Sequence, residues 1–215
     1  MFGKKKIAMI VAEFLGAGIL SVVVYSMIAR TSFPLFSGLA AGVTLAMLVL
    51  VVGNVSGGHA NPAVTLGLWS QRKVPTAQAV VYIAAQLLGG VAALALLKYF
   101  LGHPLDSLAG NKFEWKVVIA EGIGTAVFVF GVVAAAYQKY EGGKLAAVIG
   151  MSLFLGVLVA SMASNALLNP AVAVGVQSWN WAYATGPLIG AGVGANLYGM
   201  LFAPSPAKSS SRKKR

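Results

Sequence analysis

The chain reads as an all-α membrane protein of six transmembrane helices and two re-entrant half-helices, built as inverted three-helix repeats. Three observations carry that prediction. Hydrophobic residues make up 58% of the 215 residues and charged residues 10%, with a mean hydropathy of +0.81, which is too oily for a soluble domain. Six apolar runs are each long enough to cross the roughly 30 Å of hydrocarbon that takes about 20 helical residues. The tripeptide Asn-Pro-Ala occurs twice, as Asn61-Pro62-Ala63 and Asn169-Pro170-Ala171, each copy 48 residues after a glutamate, Glu13 and Glu121. A single offset of 108 relates all four features, the mark of a duplicated unit.

The apolar runs fall near 7–29, 35–54, 76–98, 115–137, 144–163 and 181–202. The first follows Lys4, Lys5 and Lys6 as a secretory signal would, but it far exceeds a signal's roughly 7–15 apolar residues and reads as a retained span. Three spans per repeat is an odd number, so the second copy enters from the opposite face and an axis in the membrane plane relates the two. The copies cover about 7–98 and 115–202 of one domain, residues 1–203. Ala12-Glu13 echoes Ala120-Glu121 at the offset of 108, whereas Leu87-Leu88-Gly89-Gly90 echoes Leu188-Ile189-Gly190-Ala191 at 101. The second copy is therefore about seven residues shorter between its triplet and its last span.

With six spans both termini share a face. Placing that face in the cytoplasm gives the inner segments twelve of the 16 Lys and Arg residues, which the positive-inside rule favours. The net charge of +11 is thus assigned to topology and anionic-lipid contact rather than to nucleic acid. The stretch 204–215, rich in Pro, Ser and Lys/Arg, is expected to be a disordered cytoplasmic tail. Trp69, Trp115, Trp179 and Trp181 fall near span ends, as an aromatic belt does.

Each triplet sits between spans, in segments 55–70 and 164–178 that are too short to cross and too apolar for ordinary loops. Asn at an N-cap followed by Pro at the first helical position is a strong helix start: the Asn oxygen accepts an orphaned N–H, and proline loses nothing where no bond was due. Ten or so residues at 1.5 Å each give about 15 Å, half the hydrocarbon thickness. Two such half-helices entering from opposite faces meet at the midplane. Each brings about +0.5 charge and the NH₂ of its capping Asn to that point, so the centre repels cations and offers hydrogen-bond donors. Irregular backbone at membrane depth survives only inside protein or along a wet cavity, so 55–60 and 164–168 are expected to line a pore.

Ser56-Gly57-Gly58-His59-Ala60-Asn61-Pro62-Ala63-Val64-Thr65, the matched second triplet, the two Ala-Glu pairs and Gly186-Pro187-Leu188-Ile189-Gly190 resemble the aquaporin, or major intrinsic protein, family over roughly 7–202. The resemblance implies a homotetramer with one pore per subunit, passive bidirectional flow of water or small neutral solutes of the glycerol, urea and ammonia class, and no cofactor. It also implies that Glu13 and Glu121 brace the irregular loops by accepting backbone N–H bonds. His59 either braces its loop or senses pH.

The chain departs from the family at one position that matters. Most members follow the second triplet with an arginine; here Val172 stands there, and Ala173 replaces the aspartate usual in glycerol-conducting members. The family's spacings place the constriction at Ala41, Val157, Ala166 and Val172. All four are apolar and small or medium, which predicts an unusually wide, greasy filter without the guanidinium's cationic barrier, and leaves a proton leak or a dewetted, closed mouth as further expectations. Asn165 is a polar neighbour placed to supply some of the lost donors.

Two readings of other classes stand beside the channel. A proton-coupled secondary transporter would use Glu13 and Glu121, since an ionisable residue inside a span is a functional candidate by default. A gated or closed protein with a junctional role would explain the lost arginine. Zero cysteines exclude a thiolate site. No catalytic constellation or metal ligand set is visible, so an enzyme is not expected. Gly16, Gly18, Gly89, Gly90, Gly190, Gly192 and Gly194 read as helix-packing residues rather than a nucleotide loop.

Overall fold

The computed structural model describes residues 3–110 and 112–203; the basic tail at 204–215 lies outside the described residues. They form eight helices: α1 (Lys4–Ile28), α2 (Pro34–Ser56), α3 (Pro62–Ser70), α4 (Thr76–Leu101), α5 (Trp115–Tyr137), α6 (Gly142–Ala160), α7 (Pro170–Gly175) and α8 (Trp181–Leu201). Sequence punctuation sets the ends. Pro34 opens α2 where its missing N–H is not needed, and Gly57, in the left-handed region at φ +95°, closes it. Asn180 caps α8 by accepting from the N–H groups of Ala182 and Tyr183.

All six predicted spans are present as helices, and five of them are long and apolar enough to cross a membrane. The sixth, α8, has the length at 21 residues but is diluted by glycines, Pro187 and Asn196. The half-helices are unequal: α3 has 9 residues and α7 only 6, short of the ten expected. The seven residues missing from the second copy are thereby located. Three come out of the half-helix, and the other four are one turn absent from the start of α8, since α4 begins four positions before the residue matching Trp181.

Packing follows the duplication throughout. Exchanging α1–α4 with α5–α8 maps each helix contact onto another: α1 on α4 with α5 on α8, α1 on α2 with α5 on α6, and α3 on α8 with α7 on α4. The contacts α2 on α6 and α3 on α7 map onto themselves and mark the pseudo-twofold axis. On that axis Gly42 and Gly150, 108 residues apart, let the α2 and α6 backbones touch; a Cβ on Gly42 would lie 2.6 Å from the Gly150 carbonyl. Gly89, Gly190 and Gly194 likewise back onto carbonyls of Phe14, Gly122 and Ala126, whereas Gly192 meets nothing within 4 Å and is not a packing residue within the chain.

The outward faces are apolar. Ile7, Leu15, Val43, Met47, Val51, Leu88, Val91, Ile119, Met151, Ile189 and Val193 are all exposed along the long helices. Such a continuous apolar exterior is untenable in water and matches hydrocarbon. Polar groups are turned inward: Glu13, Gln86, Glu121, Thr65 and Asn169 are each at most 1% exposed.

The half-helix junction and the lumen

Asn61 and Asn169 each cap their own half-helix and bind the other loop. Asn61 Oδ1 accepts from the N–H of Ala63 at 2.7 Å, while its Nδ2 donates to the Leu168 carbonyl at 2.9 Å. Asn169 Oδ1 accepts from Ala171 and Val172 at 3.0 and 3.3 Å, and its Nδ2 donates to the Ala60 carbonyl at 2.9 Å. Each NH₂ carries two hydrogens, so this cross-linking uses one and leaves one per Asn for a passing solute. Two donors therefore remain at the midplane.

Two residues reach those carbonyl positions at a conformational cost. Ala60 and Leu168, again 108 apart, adopt φ of +47° and +52°, a left-handed backbone costing about 1–2 kcal/mol for a residue with a Cβ. Each is held on both sides. The Ala60 N–H donates to Glu13 Oε2 at 2.8 Å, and the Leu168 N–H donates to Glu121 Oε2 at 2.7 Å. The other oxygens accept from the N–H groups of His59 and Leu167, both at 3.0 Å. A carboxylate is acceptor-only and satisfies donors that a low-dielectric interior would otherwise leave unpaired.

The first copy adds Thr65 and Gln86, where the second has Ala173 and Pro187, while Ser56 and Tyr82 are matched by Ser164 and Tyr183. Glu13 also accepts from Ser56 Oγ and Gln86 Nε2, both at 2.6 Å. Gln86 Nε2 and His59 Nδ1 each lie 3.0 Å from Thr65 Oγ1, and the Tyr82 hydroxyl donates to the Ser56 carbonyl at 2.9 Å. The sequence reading missed Ser56, Thr65, Tyr82 and Gln86. For Tyr82 and Gln86 the available signal was a polar residue inside an apolar span. Gln86 was hidden because its counterpart in the second copy is Pro187, which has no side-chain donor.

One cavity runs along one side of this junction and a second along the other. Leu45, His59 and Phe128 border both. Ala41, Val157, Ala166 and Val172 all line the first cavity with Asn61, Asn169 and Asn165, so the fold brings the four together in space. They are 4%, 4%, 6% and 1% exposed, which leaves little room for even a water to touch them. The walls here are apolar and the four side chains are closely packed. Beside them the α2 and α6 backbones approach at Gly42 and Gly150, and Gly38 on α2 is packed by Val157 and Phe154 of α6.

Asn165 borders this cavity, yet its Nδ2 donates to the Leu108 carbonyl at 2.8 Å and to Ser178 Oγ at 3.0 Å. Both hydrogens are spent, so Asn165 does not replace the arginine's donors. It belongs instead to a clasp in which Gln177 and Asn180 donate to the carbonyls of Leu105 and Ala109, fastening the connection after α4 over the end of α7.

The comparisons with known proteins agree with this geometry. The Major intrinsic protein family model matches residues 3–198. The chain is 36% identical over 209 residues to Aquaporin TIP2-1 of Arabidopsis thaliana, covering 89% of this chain and 84% of that protein. It is 31% identical over 188 residues to Aquaporin Z of Photorhabdus laumondii, covering 77% and 81%. Among solved structures it superposes on the aquaglyceroporin from Plasmodium falciparum with a TM-score of 0.77, covering 91% of this chain and 96% of that one; at 19% identity this likeness speaks to the fold alone. Doubled Asn-Pro-Ala caps, cross-linked half-helices and a family match along almost the whole chain place this protein in the major intrinsic protein family.

Proposed function

We propose that the protein is a passive membrane channel for water and small neutral solutes, with its lumen between the two half-helices. The observation that carries the reading is the paired Asn geometry: two amides, fixed by their own helices and by each other's loops, keep one donor each for a solute at the point where both helix N-termini converge. Asn61, Pro62, Ala63, Asn169, Pro170 and Ala171 form that central site. Ala41, Val157, Ala166 and Val172 form the filter, where a solute sheds most of its hydration against apolar walls. Glu13, Glu121 and His59 hold the loops in register. Water and ammonia-sized solutes pass fastest and glycerol and urea more slowly, because the filter is narrow while its four members are soft in size. No step requires a cofactor, and no enzymatic reaction is assigned. Both termini lie in the cytoplasm, and the apolar outer faces accommodate lipid and a homotetramer.

The test is stopped-flow light scattering on proteoliposomes, measuring osmotic water efflux with glycerol and urea uptake. Wild type should exceed empty liposomes for water. Val172→Ala should raise glycerol and urea uptake several-fold by opening the filter, and Val172→Arg should lower it. Equal solute uptake in all three would remove the filter from Val172, and water efflux no faster than empty liposomes would remove the channel.

A further inference from the structure

The second cavity, at the end of the lumen away from Val172, carries charge where the first does not. Its walls are largely apolar, with Val64, Leu68, Val132 and Ile149 among them, and its charged members are Lys73 and Lys139. Two aromatic rings steady the cations: Lys73 Nζ lies 4.0 Å from the Tyr137 ring centroid, and Lys144 Nζ lies 3.7 Å from that of Tyr140, itself a wall residue. Counter-charge is scarce. Of five acidic residues in the chain, Glu13 and Glu121 are buried at the loops, while Asp106 and Glu114 lie on the connection between α4 and α5, at the opposite end of the lumen. Glu141 is the one acid near this mouth. Among the described residues the ion pair found is Lys116 with Glu114, so Lys73, Lys139 and Lys144 have no carboxylate within pairing distance.

We infer, resting on the channel reading, that Lys73 and Lys139 form the cation barrier of this pore, supplying at one mouth the positive charge that Val172 removes from the other. Low-dielectric walls focus the field of charges at a cleft mouth, so a proton carrier or metal cation is repelled before it reaches the half-helix N-termini. An anion is drawn to the same mouth but is stopped further in, where Leu45, Val157 and Val172 offer nothing to replace its hydration. A neutral solute feels no such field and gives up far less hydration free energy at the apolar stretch.

The experiment uses proteoliposomes loaded with a pH-sensitive dye. Proton flux is driven by a potassium diffusion potential, and water efflux from the same preparation serves as the measure of inserted, open channel. The ratio of proton flux to water efflux should rise about tenfold, the scale of roughly 1.4 kcal/mol, in Lys73→Met/Lys139→Met, and should stay at the wild-type value in Lys73→Arg/Lys139→Arg. A ratio unchanged in the Met variant, with water efflux well above empty liposomes, overturns the inference and leaves the channel reading intact. Wild-type water efflux at the level of empty liposomes overturns both. If the Met variant does not fold, wild type is measured at low and high salt on the lysine side: screening should raise the ratio, and a ratio indifferent to salt overturns the inference.

Discussion

At the scale of single residues, the two intramembrane glutamates do the same task with unequal support. Glu13 accepts four hydrogen bonds and Glu121 accepts two from backbone N–H groups. Replacing either by Gln turns one acceptor oxygen into a donor facing a buried N–H, at a cost of about 1–3 kcal/mol. Glu13→Gln should therefore lower the thermal unfolding temperature in detergent more than Glu121→Gln, and both should fall below wild type. A Glu13→Gln protein as stable as wild type would show that the carboxylate does not hold the loop. These roles were legible from the sequence because repetition at 108 made two isolated acids into a pair. Thr65 and Gln86 were not legible, since Ala173 and Pro187 stand at the matching positions and no echo announces them; Ser56 does have one, Ser164, whose Oγ accepts from the Ala166 N–H as Ser56 Oγ accepts from that of Gly58.

At the scale of helices, the position of each element was readable and its closeness to its neighbours was not. The six spans and two half-helix starts follow from apolar length and the Asn-Pro signal, which are local properties of the chain. The shortness of α7 depends on Gln177, whose φ of +53° ends the turn while its side chain reaches the Leu105 carbonyl, a contact between segments 72 residues apart. Filter width likewise depends on how far α2 and α6 interpenetrate. Gly150→Ala tests that directly: the new Cβ would sit 2.5 Å from the Gly42 carbonyl, forcing the helices apart at about 1–3 kcal/mol. Thermal stability should drop, and glycerol uptake by the protein that remains folded should rise as the walls separate. Gly192→Ala is the control, because nothing lies within 4 Å of its Cβ and Ala is favoured over Gly inside a helix by about 1 kcal/mol. Loss of stability there would place Gly192 against another subunit.

At the scale of the whole molecule, duplication gives near-symmetry and the departures from it give the pore two different ends. Exchange of the halves preserves the helix contacts, the Asn cross-links and the left-handed residues before each Asn. It does not preserve the chemistry around them. His59, Thr65 and Gln86 in the first copy face Leu167, Ala173 and Pro187 at the matching positions of the second, and the mouth with Lys73 and Lys139 opposes one with Val172. Ends that differ in charge still do not make a pump. A transporter needs a site whose occupancy changes between two conformations, and here both candidate acids are spent on fixed backbone donors. Collapsing the pH gradient and the membrane potential should accordingly leave water efflux and urea uptake unchanged, and fluxes measured inward and outward under equal and opposite gradients should agree. The check is the same light-scattering assay with and without a protonophore and a potassium ionophore; uptake that falls when the gradients are removed would mean that Glu13 or Glu121 exchanges a proton during transport and that the channel description is wrong.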